Sequence, residues 1–178
     1  MKQIHVELTE ESIDRALREL VKFQKWIEDG TQRLLELIGE RGKVYADTEY
    51  LSALTIGDEI PEVTYSVSGN TVTVTASGAD VLFIEFGTGV TYPESHPDPL
   101  AGQYPHGEYG YGLGKLKSGW RFPETPGADA DGLAWPDPKH EGYMKTYGNP
   151  ANASLYNART QIEDTFLELA KEAFGTYA

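Results

Sequence analysis

Residues 63–86 read VTYSVSGNTVTVTASGADVLFIEF, and they contain the clearest β-strand pattern in the chain. In its first half, apolar residues alternate with polar ones on both sides of the turn-forming residues 68–70. Such alternation around a Gly–Asn turn is typical of a β-hairpin with one face toward water. The alternating apolar residues are Val63, Tyr65, Val67, Val72 and Val74.

A short apolar run follows the predicted hairpin. Ser77 and Gly78 are expected to end the second strand. The run from Ala79 to Phe86 is too short for its periodicity to distinguish a helix from a strand. Between these alternatives we favour a short helix.

A long amphipathic helix is predicted before the hairpin. Thr9 is a suitable N-cap, and Glu10 and Glu11 lie in the first turn, where the helix dipole favours negative charge. The helix is predicted to run to Arg41, with Gly42 as the residue that stops it. Its apolar residues recur at three- and four-residue spacing and predict one buried stripe. These residues are Ile13, Ala16, Leu17, Leu20, Val21, Ile27, Leu34, Leu35, Leu37 and Ile38.

The predicted helix is long for a domain of this size. A helix over residues 10–41 would be roughly 45 Å long, which exceeds what a compact domain of this size covers. We therefore expect part of it to pack on another subunit, unless it bends or breaks at Asp29–Thr31. An edge strand over Gln3–Glu7 is a further expectation.

The C-terminal segment returns to helical periodicity, with Asn152 or Ser154 as the expected cap. Together these elements predict an α+β fold, in which a long N-terminal helix and a C-terminal helix pack on a small antiparallel sheet. The chain of 178 residues fits one domain, 1–178. The apolar positions of the last helix are Leu155, Ala158, Ile162, Phe166, Leu169, Ala170 and Ala173.

Residues 87–149 form a long segment that is rich in glycine, proline and aromatic residues and shows no convincing periodicity. Long loops in compact domains are commonly binding elements or become ordered on a partner. The aromatic side chains of residues 87–149 indicate a protein interface as the first interpretation and sugar stacking as the second. The third interpretation is that they pack on the core of their own domain. The aromatic residues are Tyr92, Tyr104, Tyr109, Tyr111, Trp120, Phe122, Trp135 and Tyr143.

Charge and composition exclude several classes of protein. The formal net charge of −13 opposes general binding to duplex phosphates, although Lys115 and Lys117 leave room for a local basic patch. Because the chain has no cysteine, disulfides, thiolate zinc sites and thiol nucleophiles are excluded. There is no apolar secretory segment and no apolar run long enough to span a membrane, so we expect a soluble protein.

Patterns that would indicate catalysis or ligand binding are weak. Acidic pairs such as Glu94 with Asp98, or Glu124 with Asp137, would need a cleft and unlike pKa values to act as acid and base. The DADG run at 129–132 lacks the remaining ligands of a calcium loop. The histidines lack metal-binding spacing and are predicted to lie at the surface. We therefore predict no catalytic residue, metal site or cofactor. The histidines are His5, His96, His106 and His140.

The run FIEFGTG at residues 83–89, after Ala79, resembles the "A…vEfGT" signature of the tail-completion and head-to-tail joining family of long-tailed bacteriophages. An amphipathic helix and a hairpin precede the motif, and a loop with glycine and tryptophan follows it, in the order of that family. The segment Pro150–Ala158, which opens the last helix, is similar as well. The resemblance covers most of the chain.

The resemblance implies a non-enzymatic structural protein of the virion, which completes the tail and joins it to the head connector as a hexameric ring. Its partners would be copies of itself, tail-tube proteins and head-connector proteins, with DNA only passing through the lumen and no membrane contact. It would reside in the tail or neck of the virion, and in the host cytoplasm during assembly. The candidate assembly residues are Glu85, Gly87, Thr88, Gly89, Trp120, Trp135 and Tyr156.

The FIEFGTG motif also has a physical interpretation. Gly87 and Gly89 permit backbone angles that are closed to other residues, and Thr88 can hydrogen-bond locally to turn the chain. Glu85 can accept hydrogen bonds from the exposed amides of that turn. The motif is therefore expected to shape a tight corner, with contact to a neighbouring subunit as its second role. The alternative function is a carbohydrate-binding or glycoside-processing module that uses the aromatic, acid-rich loop.

Overall fold

The computed structural model describes residues 7–53, 59–87, 96–98, 119–124, 126, 132, 134–148 and 151–175. The predicted α+β fold is confirmed, with a long N-terminal helix, a C-terminal helix and small antiparallel sheets. In chain order the elements are α1 (Glu10–Ala53), β1 (Glu62–Ser68), β2 (Thr71–Ser77), α2 (Val81–Phe86), β3 (Trp120–Pro123), β4 (Ala134–Pro136), β5 (Tyr143–Thr146) and α3 (Ser154–Phe174). Most of the predicted edge strand over residues 3–7 lies outside the described residues.

Helix α1 begins where the sequence predicts but ends later. Thr9 is its N-cap, because the Ser12 amide donates to Thr9 Oγ1 at 3.4 Å. The prediction that Gly42 stops the helix is wrong, since α1 has 44 residues and is therefore about 66 Å long. It also continues through the Asp29–Thr31 step at which a bend or break was considered.

The glycines of α1 serve close packing and do not terminate the helix. A Cβ atom on Gly39 would lie 2.6 Å from Cε2 of the Tyr65 ring, and one on Gly42 would lie 3.0 Å from a methyl group of Val74. Both neighbours belong to the hairpin. Gly39 and Gly42 thus let the sheet approach the helix backbone, a role that outweighs their weak helix propensity.

The hairpin and the short helix have the predicted form. Strands β1 and β2 pair antiparallel in a register that sets Val67 opposite Val72, and alternate residues of each strand are exposed. Residues Val81–Phe86 form α2, as favoured above. Side chains from these elements and from both long helices meet in one core, which consists of Ala46, Tyr50, Val63, Val81, Ile84 and Ala158.

Helix α3 runs antiparallel along the C-terminal part of α1. Near its start, Asn157 and Gln161 donate side-chain hydrogen bonds to Glu49. At its end, Trp26 Nε1 donates to the Phe174 carbonyl oxygen at 2.8 Å. Helix α3 therefore spans α1 between residues 26 and 49, and residues 10–25 extend beyond its end.

The apolar stripe of α1 is exposed over this extension. The exposed fractions are 42% for Ile13, 54% for Leu17, 53% for Leu20 and 66% for Val21. The prediction of one buried stripe is therefore wrong for the N-terminal part of α1, because α3 and the hairpin pack only farther along the helix. None of the helices in the described parts of the chain is both long and apolar enough to cross a membrane.

A second sheet lies within the segment that the sequence presents as one long loop. Strands β3, β5 and β4 pair antiparallel in that spatial order. The prediction of one long loop over residues 87–149 is therefore wrong at these strands. They have three or four residues each, and such lengths are too short to display an alternating pattern.

Candidate functional site

The FIEFGTG motif contributes a buried carboxylate, that of Glu85 on α2, which is 6% exposed. Tyr50 from α1 donates its hydroxyl to Glu85 Oε2 at 3.2 Å. The backbone amides of Leu155 and Tyr156 in α3 donate to Oε2 and Oε1 at 2.9 and 3.4 Å. His96 Nε2 lies 3.1 Å from Oε1. One side chain thus connects α1, α2, α3 and the segment around residue 96, and we call this set of contacts the Glu85 joint.

The start of α3 needs this carboxylate because no side chain of its own caps it. The N-cap residue is Ala153, which takes a left-handed backbone conformation with φ 54° and ψ 44° and offers no side-chain hydrogen bond. The first amides of a helix lack partners within the helix, and its dipole favours negative charge there. The prediction of a cap from Asn152 or Ser154 is therefore wrong, since Glu85 supplies the acceptor from a distant part of the sequence.

Backbone contacts hold the α2 and α3 ends together beside the carboxylate. The Asn152 amide donates to the Ile84 carbonyl oxygen at 2.9 Å, and the Ala153 amide donates to that of Glu85 at 3.1 Å. Asn152 also donates its side-chain amide to the Glu49 carbonyl oxygen at 3.1 Å. The strained conformation of Ala153, which costs a non-glycine residue about 1–2 kcal/mol, is maintained by these contacts.

His96 is enclosed within the joint. The Asp98 amide donates to its Nδ1 atom at 3.1 Å, so Nδ1 is the acceptor and Nε2 carries the proton that is donated to Glu85. Its ring lies 5.1 Å from that of Phe86 and 5.8 Å from that of Tyr156, between ring centroids. The prediction of a surface position is therefore wrong for His96, whereas His140 is exposed.

Tyr50 is held as a hydrogen-bond donor. Burial, together with the charge of Glu85 and the hydrogen bond to it, raises the pKa of Tyr50 well above its ordinary value. The hydroxyl therefore keeps its proton at any physiological pH. All four contacts to Glu85 come from donors, which matches an ionised carboxylate that can only accept. The arrangement can cap a helix and join segments, and both oxygens are already engaged.

The predicted interface residues fall into three groups. Glu85 and Tyr156 meet in the joint, and Gly87 ends α2 with φ 73° and ψ 176°, a backbone conformation that favours glycine. Trp135 lies on the second sheet at 37% exposure, with its ring 5.3 Å from that of Tyr147. Trp120 is in β3. Thr88 and Gly89 lie outside the described residues.

The sequence did not predict that Tyr50 and His96 would contact Glu85, or that Asn152 would bind the backbone of α2. The sequence pattern could have placed Tyr50 on the packed face of α1. Gly42, Ala46, Tyr50 and Ala53 continue the three- and four-residue spacing of α1, so the small and apolar positions extend past the predicted stop. No local pattern marks His96 or Asn152 as partners of a residue in α2.

A second buried carboxylate, that of Asp137, organises the turn between β4 and β5. It accepts hydrogen bonds from Arg121 Nε, from His140 Nδ1 at 2.9 Å and from the Lys139 amide at 2.9 Å. The Lys139 amide, together with Arg121 and His140, lowers the pKa of Asp137 to about 2. The residue considered with it as an acid/base pair, Glu124, is exposed, whereas Glu94 of the other pair lies outside the described residues.

We expect the stabilisation from Asp137 to depend on pH. Its pKa of about 2 in the folded chain is below the value of about 3.9 for an unfolded chain. Its contribution is therefore complete above about pH 4 and is lost as the pH falls toward about 2. Thermal unfolding of the wild type and of Asp137→Asn should differ at pH 5 and converge near pH 2. Asp164→Asn, at an exposed position, is the control, and a difference that does not change with pH would contradict the assignment.

An apolar groove lies between α1, β2 and α3. Its lining includes Ile38, Val72, Val74, Leu155, Ala158 and Ile162, and it encloses about 270 Å³. Arg159 also borders it, with an exposed side chain whose Nε donates to Glu163 at 2.8 Å. The groove is thus apolar with a positive charge at its edge.

Within the described residues, no group of three or more histidine or acidic side chains is arranged to hold a metal ion. Asp129 and Asp131 of the DADG run, which lacks the remaining ligands of a calcium loop, lie outside those residues. No protein-family model, curated protein sequence or solved structure matches this chain.

Proposed function

We propose that this chain is a structural subunit that assembles with copies of itself, as a ring-forming tail-completion protein that joins the tail of a long-tailed bacteriophage to its head connector. The observation that carries the proposal is the extension of α1 beyond α3, with an apolar stripe whose residues are between 42% and 66% exposed. Contiguous exposed apolar surface on a folded domain indicates a binding surface.

The FIEFGTG resemblance supports the specific class of assembly protein. Glu85 of that motif ties the start of α3 to α1 and α2. A firm connection between the long helices gives the extension of α1 a defined direction, which a closed ring requires of each subunit. In this proposal the motif keeps the subunit rigid, and other surfaces make the contacts between subunits.

The test is electron microscopy of phage particles made without this protein, in the virus whose genome encodes it. We expect free heads beside unattached or abnormally long tails, and restoration of joined particles when the wild-type chain is supplied in trans. The charge variant Leu17→Glu, which changes an exposed residue, should fail to restore joining, whereas Lys22→Glu on the polar side of α1 should succeed. Intact infectious particles without the protein would refute the proposal.

Carbohydrate binding is the second candidate function, and Trp135 favours it. Its partly exposed ring contacts Tyr147, over which Lys145 Nζ lies at 5.1 Å from the ring centroid. Exposed aromatic faces with a neighbouring polar group suit stacking on sugars. Saturable binding on a glycan array that is lost in Trp135→Ala, and retained in the control Phe166→Ala, would support this function over assembly.

A further inference from the structure

The chain carries two apolar surfaces of different shape. One is convex, the exposed stripe on residues 10–25 of α1, and the other is concave, the groove between β2 and α3. The groove volume of about 270 Å³ is slightly below the range of small-molecule pockets, which span about 300–1,000 Å³. Its aliphatic lining fits the apolar side chains of an amphipathic helix, a common mode of recognition between proteins.

One chain cannot bring its own stripe into its own groove. Leu17 of the stripe and Ile38 of the groove belong to the same continuous helix. Their separation of 21 positions in the sequence corresponds to roughly 32 Å along α1. Any contact between the two surfaces must therefore join different copies of the chain.

One pair of opposite charges can form between the two surfaces. Asp14 lies on the extension next to Ile13 and one turn before Leu17, whereas Arg159 lies at the edge of the groove. The present partner of Arg159, Glu163, is exposed like Arg159 itself. Exposed pairs of this kind contribute little to stability, so Arg159 is available to a carboxylate on another copy.

We propose that residues 10–25 of α1 from one copy dock in the groove of the next copy, with Leu17 among the inserted side chains and Asp14 beside Arg159. The donor and acceptor surfaces differ, so the contact is heterologous. Repetition of such a contact builds a ring when its rotation closes. The closed ring rests on the proposed function. The contact between two copies does not, since it can be measured in the purified protein.

Cysteine cross-linking tests the pairing, because the natural chain has no cysteine. Leu17→Cys and Ile162→Cys are purified separately, mixed at high concentration and oxidised. We expect at least about tenfold more cross-linked dimer than from Lys22→Cys mixed with Ile162→Cys, because docking raises the effective concentration of the two thiols. Val72→Cys on the opposite wall of the groove is the second acceptor variant, so the test does not depend on Ile162 tolerating replacement.

The possible outcomes distinguish the proposed contact from other contacts between copies. Enrichment of the mixed dimer with either groove cysteine supports the proposal. A cross-link formed by Leu17→Cys alone in equal yield would indicate pairing of two α1 helices and would overturn the proposal. Equal yields from the Leu17 and Lys22 mixtures would also overturn it. Specific cross-linking in a protein whose loss leaves phage particles intact would refute the phage function while retaining the contact.

A charge exchange provides the second readout. We expect Asp14→Arg and Arg159→Asp each to weaken self-association about fivefold, and the double variant to recover most of the loss, as complementary interface charges do. Sedimentation over a concentration series measures the association. The proposed geometry would be overturned if either single variant associated as strongly as the wild type. It would also be overturned if the double variant associated no more strongly than the single variants, because Asp14 and Arg159 would then not be in contact.

Discussion

Replacing Glu85 with alanine is expected to lower the free energy of unfolding by about 4 kcal/mol, the size of effect seen when one partner of a buried charge interaction is removed. The substitution leaves the Tyr50 hydroxyl, the His96 imidazole and the first amides of α3 without their acceptor. Groups buried without hydrogen-bond partners are costly. For a domain of this size the change corresponds to a melting temperature lower by about 10 °C.

Glu85→Gln and Glu62→Gln are the matched variants for this measurement. Glutamine preserves the shape of Glu85 but presents an NH₂ group toward donors, so we expect it to be destabilising as well, by less than alanine. Glu62 is exposed on β1, and its replacement should change stability by less than about 0.5 kcal/mol. Equal unfolding midpoints for Glu85→Gln and Glu62→Gln would show that the carboxylate of Glu85, as distinct from an amide of the same shape, contributes nothing to stability.

The second large effect concerns Gly39. A Cβ atom there would lie 2.6 and 2.9 Å from Cε2 and Cγ of Tyr65, and Cγ is near the backbone of β1, so the ring cannot easily move away. We expect Gly39→Ala to lower the free energy of unfolding by about 2 kcal/mol, even though alanine favours a helix over glycine by about 1 kcal/mol. Denaturant unfolding followed by circular dichroism measures the change.

Gly42→Ala is the matched control, because it makes the same replacement three residues along the same helix. The nearest atom to its Cβ would be a single methyl group of Val74 at 3.0 Å, which a small shift relieves. We expect the stability of Gly42→Ala to stay within about 1 kcal/mol of the wild type, as the gain in helix propensity offsets the tight contact. If both variants lost stability equally, the contact with Tyr65 would not be what requires glycine at position 39.

The elements that the sequence predicted well are those whose signals are local. Residues 63–74 alternate around a Gly–Asn turn, and the hairpin formed in that register. The prediction that α1 ends at Gly42 was wrong because a glycine can either end a helix or allow a neighbouring group to pack closely against it. The close neighbour here is Val74 in β2, which no local pattern around Gly42 identifies.

The candidate site was predicted in part for the same reason. Glu85 was identified as a hydrogen-bond acceptor from the FIEFGTG motif, but its donors were expected in the adjacent turn. The donors in the described residues include Tyr50 and Leu155, which are 35 and 70 positions away in the sequence. The observed N-cap, Ala153, has no capping side chain, and its neighbours Asn152 and Ser154 concealed the need for a distant cap.

The second sheet shows the limit of periodicity as a signal. Its strands are too short for alternation, yet turn-forming residues separate them, with Asp137–Pro138 after β4 and Glu141–Gly142 before β5. Turn chemistry of this kind predicts a hairpin even where the flanking strands are short. The pairing of the buried Asp137 carboxylate with the half-exposed Arg121 depends on the folded sheet and has no counterpart in the spacing of the sequence.

The two attachments of α3 restrict how α1 can vary in length. Glu49 receives hydrogen bonds near the start of α3, and Trp26 donates to its last turn. Inserting or deleting one residue between positions 26 and 49 would rotate one attachment about 100° around the helix relative to the other, so both could not be kept. Insertions and deletions in related genes are therefore expected before residue 26, where the helix can change its reach without disturbing the domain that carries it.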